Sequence, residues 1–171
     1  QVPASTLSDA DRRQIEAEAR FLRAYYHMKL LLNWDQIYIR NKYITKESDL
    51  NIPLSTRAQA WDFITSEFKA AADVLPAKQS QDKTGRATSG AANSYLGFAY
   101  MTRAYEETAQ KQAFLNEALT ALNKVQGYEL VKDYVSMFDG TTKNTKESIF
   151  ELQFSETTAN GAFYRNALHY W

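Results

Sequence analysis

The most regular hydrophobic pattern of the chain lies in residues 9–32. Apolar side chains recur there every three or four residues in two neighbouring lines, and polar side chains form a third line. The first apolar line is Ile15, Ala19, Leu22, Tyr26 and Leu30; the second is Phe21, Tyr25, Met28 and Leu32; the polar line is Arg13, Glu16, Arg20, Arg23 and His27. This spacing predicts an α-helix that buries a wide face inside a helical layer. The polar line is expected at the surface, with His27 solvated or hydrogen-bonded there.

A second helix is predicted over residues 56–75. Thr56 and Gln59 have the spacing of a capping box, in which each side chain satisfies a backbone N–H of the first turn. Pro76 is expected to end this helix, because proline lacks the N–H that a helix interior needs.

Two more helices are predicted over residues 88–107 and 111–126. Thr88 has the chemistry of an N-cap, and Gly127 lies where a left-handed residue commonly ends a helix. Glycine inside a helix costs about 1 kcal/mol relative to alanine. Gly97 is therefore expected to permit a close approach between helices.

The pattern changes to alternation with a period of two in residues 148–155. Phe150, Leu152 and Phe154 point one way in an extended chain, and Glu151 and Gln153 the other. This alternation predicts a strand. Because a lone strand is unstable, its partner is expected in residues 37–44, in residues 128–131 or in chain outside this sequence.

The predicted fold class is mainly α, with a short β excursion near the C-terminal end. Four helices in two successive pairs suggest helix-hairpin repeats. Leu96-Gly97-x-x-Tyr100 matches the core of a tetratricopeptide repeat. The expected architecture is a tetratricopeptide-like superhelix, which is a scaffold for many functions.

Composition excludes several classes of protein. Lysine plus arginine and aspartate plus glutamate number 20 each, so the formal charge is zero and no electrostatic footprint for nucleic acid is present. No cysteine is available for a disulfide, a thiolate metal site or a nucleophile. The apolar content of 44% is that of a globular protein, and the first residue, Gln1, indicates a processed or excised piece.

The residue inventory also disfavours catalysis, a metal centre and a cofactor. The sequence has two histidines and contains no zinc-protease motif, phosphate-binding glycine loop or nucleophile elbow. Hydrolysis of a glycoside needs two facing carboxylates. The acidic pairs Glu106/Glu107 and Glu16/Glu18 lie on predicted helices, where surface roles account for them, so no enzyme activity is expected.

The long connection after the first helix contains the candidate binding residues. Trp34 offers a flat apolar platform for the C–H face of a sugar, with Asn33, Asp35 and Tyr38 nearby to bind hydroxyl groups. The alternative is that Trp34 only seals the end of the first helix. One platform that buries about 100 Å² contributes about 2.5 kcal/mol, which alone is weaker than millimolar affinity. Useful capture therefore needs several sites or a polymeric ligand.

Several segments resemble, in the same order, the SusD/RagB outer-membrane nutrient-binding lipoproteins of Bacteroidetes. Residues 18–26, EARFLRAYY, are close to the family signature GEARFLRAYYY. The other matching segments are Arg57 with residues 72–76 (ADVLP), residues 85–92 (GRATSGAA), 128–130 (YEL), 133–134 (DY) and 147–154 (ESIFELQF). At residues 33–38, NWDQIY replaces the family's short glycine-aspartate-proline turn.

The resemblance implies a surface-exposed outer-membrane lipoprotein that captures glycans without cleaving them, or peptides in some relatives. It also implies import through a SusC-type TonB-dependent transporter, and membrane attachment through an N-terminal lipid anchor outside this chain. The family is longer by a few hundred residues. We therefore expect residues 1–171 to be one SusD-like helical domain fragment without the C-terminal half of the family fold.

A tetratricopeptide-like module that binds other proteins is the alternative. Under the glycan hypothesis Trp34 is exposed beside polar groups in a concave pocket. Under the alternative Trp34 is buried, and exposed apolar surface lies along a helix groove.

Overall fold

The computed structural model describes residues 6–80, 83–139 and 142–153. Within these ranges the chain forms four α-helices: α1 Asp9–Asn33, α2 Arg57–Ala72, α3 Ser89–Glu106 and α4 Lys111–Leu122. Single 3-10 turns occur at Glu47–Asp49, Thr108–Gln110 and Val135–Met137. The mainly α fold class is confirmed, although α2 and α4 end three and four residues before the predicted positions.

The first three helices, α1, α2 and α3, each begin directly after a residue whose side chain caps the helix. The Ser8 side chain accepts a hydrogen bond from the Asp11 N–H at the start of α1. Thr56 and Gln59 form the complete capping box of α2, and Thr88 caps α3 by accepting from the Ala91 N–H. These local bonds satisfy backbone donors that have no partner within the helix.

Each helix packs mainly on its neighbour in sequence, so that α1 contacts α2, α2 contacts α3 and α3 contacts α4. This is the order expected of successive helical hairpins. The largest fully buried side chains come from α1 and α2: Trp61, Phe21, Phe68, Met28, Leu31 and Ile64. Gly97 permits the close contact predicted for it, because a Cβ there would lie 2.6 Å from Cγ of Leu122 on α4.

Within the polar line of α1, Arg13 and Glu16 are exposed, whereas Arg20, Arg23 and His27 face α2, which corrects the predicted surface role of His27. His27 is 7% exposed and lies against the Phe63 ring, with 5.1 Å between ring centroids. Its Nε2 accepts a hydrogen bond from the Arg40 N–H at 3.1 Å. Arg20 and Arg23 bind the two carboxylate oxygens of buried Glu67 on α2 at 2.8 and 2.7 Å.

The first apolar line of α1 is the exposed one. Leu22, Tyr26 and Leu30 are 41%, 56% and 40% exposed. The prediction that two adjacent apolar lines are buried is therefore wrong. Arg20 and Arg23 pair with Glu67, so this part of α1 faces α2. The line of Leu22, Tyr26 and Leu30 then lies on a side of α1 that stays exposed.

No strand forms in the part of residues 148–155 that the structure describes, so the strand prediction is wrong for 148–153, while 154 and 155 lie outside the described residues. One backbone bond, from the Glu129 N–H to the Lys146 carbonyl, joins residues 128–131 to the chain just before position 148, and the Val131 N–H binds the Glu147 side chain. Of the alternating apolar residues, Phe150 packs on helices. Its ring centroid lies 4.9 Å from that of Phe21, while Leu152 is exposed.

Candidate functional site

Trp34 follows the last turn of α1 as its C-cap, and its backbone is extended, with φ −130° and ψ 145°. Its N–H donates to the Leu30 carbonyl at 2.9 Å. The side chain is 59% exposed. The backbone at Trp34 is therefore fixed relative to the helix, and more than half of the residue's surface is open to solvent.

The end of α1 is sealed by other residues. Leu31 is fully buried and Ile37 is 4% exposed. The Ile37 carbonyl accepts bonds from the Ser55 N–H at 2.9 Å and from the Ser55 hydroxyl at 2.8 Å, which fixes the loop against α2. The Trp34 side chain is therefore not needed to cover the end of α1, and its place in a binding site stays a prediction.

The other predicted binding residues are also exposed. Asn33 donates from Nδ2 to the Lys29 carbonyl at 2.7 Å, and Asp35 follows Trp34 directly. Tyr38 is 47% exposed, and the Arg40 guanidinium lies 5.7 Å from its ring centroid. The chain thus brings Asn33, Trp34 and Asp35 together as consecutive residues, whereas the Tyr38 ring contacts Arg40.

Arg57, the first residue of α2, holds the Trp34 backbone in place. Its Nη1 donates to the carbonyl oxygens of Leu31 at 2.9 Å and of Trp34 at 3.1 Å. Its other nitrogens form a bidentate pair with Glu106 at 2.7 and 2.6 Å. Glu106 also accepts from the indole Nε1 of buried Trp61 at 2.6 Å. One guanidinium therefore joins the C-terminal ends of α1 and α3 at the start of α2.

These contacts shift the pKa values of Glu106 and Arg57. The pKa of Glu106 lies below its ordinary value, first because Arg57 donates to the carboxylate and also because Trp61 does, and these bonds outweigh partial burial. The pKa of Arg57 is raised, with the bond to Glu106 as the largest cause and with Asp35 contributing. The cluster is therefore an ion pair throughout the neutral range.

The acidic pairs considered for catalysis are engaged in ion pairs. Their partners are Arg20 for Glu16, Arg86 for Glu18, Arg57 for Glu106 and Arg103 for Glu107. Glu18 is buried, which differs from the surface role expected of it. No group of three histidine, aspartate or glutamate residues in the described ranges is placed to hold a metal ion.

Two clefts open elsewhere on the surface, and Trp34 lines neither, so the concave pocket expected around Trp34 under the glycan hypothesis is not found in these two clefts. The larger has a volume of about 500 Å³ and lies between the loop before α3, the turn after α4 and residues 144–151. The smaller, about 390 Å³, lies within residues 39–52. The larger cleft was not foreseen, because its walls come from three separate segments. None of the described helices is long and apolar enough to cross a membrane.

Comparison of the sequence with known proteins identifies its relatives. The SusD-like family model, described as starch-binding and associating with the outer membrane, matches residues 2–105, more than half of the chain. A SusD-like protein of Bacteroides ovatus is 25% identical over 154 residues, which cover 87% of this chain and 28% of that protein.

Solved structures agree in fold. A SusD-like protein from Bacteroides fragilis superposes with a TM-score of 0.76 at 27% identity, over 93% of this chain and 31% of that chain. A laminarin-binding SusD-like protein gives a TM-score of 0.80 at 22% identity, over 92% of this chain and 34% of that one. The chain thus spans about a third of the length of the proteins that it matches.

Proposed function

The chain belongs to the SusD-like family of starch-binding proteins that associate with the outer membrane, and we propose that it is part of a cell-surface lipoprotein that captures glycans for import. The observation that carries the proposal in this chain is the exposed indole of Trp34, flanked by the polar side chains of Asn33 and Asp35. The exposure of Trp34 beside polar groups agrees with glycan capture, whereas the exposed Leu22, Tyr26 and Leu30 along α1 agree with the protein-binding alternative, so a binding test has to separate the two.

The chemistry of the platform suits a sugar ring. The flat indole contacts the C–H face of a pyranose, and the neighbouring amide and carboxylate bind hydroxyl groups. The bonds from Arg57 fix the backbone at Trp34, so little conformational entropy is lost on binding. Tyr38 is the fourth proposed contact, reached by a long or branched ligand.

The role is proposed to be non-catalytic, with a SusC-type TonB-dependent transporter as the partner and a lipid anchor outside this chain. The first expectation is checked by incubating the full-length protein with soluble starch and laminarin and assaying reducing ends. No increase above a buffer control is expected. The second is checked by affinity purification from outer membranes, in which the transporter should copurify.

The binding test is calorimetric titration of the full-length protein with soluble starch, with laminarin and with a panel of other polysaccharides, for wild type and Trp34→Ala. Tyr105→Ala is the matched control, because Tyr105 is an aromatic residue on α3 with 67% exposure. Loss of a platform that contributes about 2.5 kcal/mol should weaken binding at least tenfold without lowering the melting temperature.

The control variant should bind as wild type does. If a glycan binds and Trp34→Ala binds it equally well, Trp34 is not part of the site. If no polysaccharide binds although the transporter copurifies, capture of glycans is rejected and peptides become the ligand class to test.

A further inference from the structure

Hydrogen bonds join the segments that form the larger cleft. The Glu129 N–H donates to the Lys146 carbonyl at 3.2 Å, and the Val131 N–H donates to the Glu147 carboxylate at 2.8 Å. Phe150, which lines the cleft, also packs on Phe21. A cleft that is already formed costs little ordering when a ligand enters, and about 500 Å³ is within the range of small-ligand sites.

An aromatic ring forms part of the lining. The Tyr128 hydroxyl lies 3.2 Å from Oγ1 of Thr88, at the start of α3. The ring rests on Gly90, where a Cβ would lie 2.8 Å from Cε2 of the tyrosine. Gly90 therefore lets Tyr128 lie against the first turn of α3, and the half-buried ring presents its remaining surface to the cleft.

The polar groups around this ring are mainly neutral. Gln126, exposed at the rim, makes one long bond of 3.4 Å to the Asn123 carbonyl. Asn144 exchanges bonds of 2.9 and 3.3 Å with the Gln153 side chain. A carboxamide both donates and accepts hydrogen bonds, as a sugar hydroxyl does. An aromatic face beside carboxamides is a suitable surface for a sugar ring.

The charges that line the cleft do not favour an anion. Arg86 is paired with buried Glu18 at 2.8 Å, and Lys146 with Glu129 at 3.3 Å. The remaining charged groups of the lining, Lys78 and Glu151, have opposite signs. The ligand that fits these walls is neutral.

The cleft lies beside the first half and the middle of α1, and Trp34 follows the last residue of that helix. Arg86 in the cleft wall binds Glu18, and Phe150 in the lining packs on Tyr25. Nine to sixteen residues at about 1.5 Å per residue separate these positions from Trp34 by roughly 14–24 Å along the helix. Either contact alone is weak, but two contacts joined through one polymer raise affinity by about 10²–10⁴.

We propose that the larger cleft, which we name the Tyr128 cleft, is a second subsite for a neutral sugar residue. We also propose that one polysaccharide chain is held both there and on Trp34. The inference rests on the proposed capture of glycans. It predicts that long chains bind much more tightly than trisaccharides, because only a long chain reaches both positions.

The test is calorimetric titration of the full-length protein with soluble starch and maltotriose, and with laminarin and laminaritriose. Gln126→Trp fills the cleft from its exposed rim and leaves the Tyr128 contacts in place, while Tyr128→Ala removes the ring. Gln112→Trp is the matched control, since Gln112 is an exposed glutamine on α4 that does not line the cleft. Melting temperatures show which variants remain folded.

Gln126→Trp and Tyr128→Ala are each expected to weaken polymer binding at least tenfold, as Trp34→Ala does, with Gln112→Trp unchanged. If Trp34→Ala weakens polymer binding and folded Gln126→Trp does not, the second subsite is rejected and the proposed function stands. Equal losses for polymer and trisaccharide reject the two-point arrangement. Absence of polymer binding to wild type rejects the proposed function and this inference together.

Discussion

Arg57 determines the geometry of the candidate site more than any other single residue. It binds two carbonyl oxygens at the end of α1 and both carboxylate oxygens of Glu106 on α3. Lysine could not replace it, because a single ammonium cannot make a planar bidentate pair and also reach the carbonyl groups. Trp34 is thus positioned by a residue 23 positions away in sequence.

The lowered pKa of Glu106 predicts a pH dependence of stability. A carboxylate whose pKa is lower in the folded state contributes stability that is fully present above its unfolded pKa, about 4.3. That contribution is lost as the pH falls through the lower, folded value. We expect the melting temperature of Glu106→Gln to be lower than that of wild type at pH 7, and the difference to shrink below pH 4.

Thermal unfolding between pH 7 and pH 2.5 checks this prediction, with Glu117→Gln as the control because Glu117 is exposed on α4. A constant difference between Glu106→Gln and wild type over that range would show that the carboxylate contributes no linked stability.

At the scale of elements, the contact between α3 and α4 depends on a residue without a side chain. A Cβ at position 97 would lie 2.6 Å from Cγ and 2.7 Å from Cδ2 of Leu122. These distances are far below van der Waals contact, so the helices must separate or Leu122 must change rotamer. Glycine lowers the helix propensity at this position, and its missing side chain lets α3 and α4 pack closely.

Gly97→Ala is therefore expected to lower the free energy of unfolding by about 1–3 kcal/mol, the usual cost of overpacking, despite the better helix propensity of alanine. In a Leu122→Ala background the clash is removed, and the same substitution should be neutral or stabilising by up to about 1 kcal/mol. Urea denaturation of the four proteins measures both effects. Equal effects in the two backgrounds would contradict the close contact.

At the scale of the whole molecule, the segment after α4 returns to α1 and α3. Phe150 contacts the rings of Phe21, Tyr25 and Tyr95, with centroid distances of 4.9, 5.9 and 6.2 Å. These contacts join residues of α1 and α3 to a segment more than fifty positions further along the chain. One aromatic side chain therefore links the wall of the Tyr128 cleft to the core.

Phe150→Ala is expected to lower the free energy of unfolding by about 2–3 kcal/mol, less than for a fully buried phenylalanine because Phe150 is half-buried. Leu152→Ala, two residues later and exposed, should change it by less than about 0.5 kcal/mol. Chemical denaturation compares the two variants. Similar effects at both positions would indicate that Phe150 is not seated on α1.

Local interactions account for what could be predicted of the fold. Ser8, Thr56 and Thr88 cap helices through atoms within three residues of themselves, so the sequence alone places the starts of α1, α2 and α3. Helical periodicity predicted the mainly α class, and Gly97 predicted a close helix pair. The run of matching segments predicted the family, because their order along the chain is itself a sequence property.

Contacts between distant residues decided the rest. Buried Glu67 pairs with Arg20 and Arg23 of the polar line and so brings that part of it against α2. The core draws Phe150 against helices instead of into a sheet, and Ile37 takes the buried position that Trp34 was considered for. The Tyr128 cleft arises where three segments meet. Periodicity shows which side chains share a face, but which face is buried depends on the surface that another part of the chain brings to it.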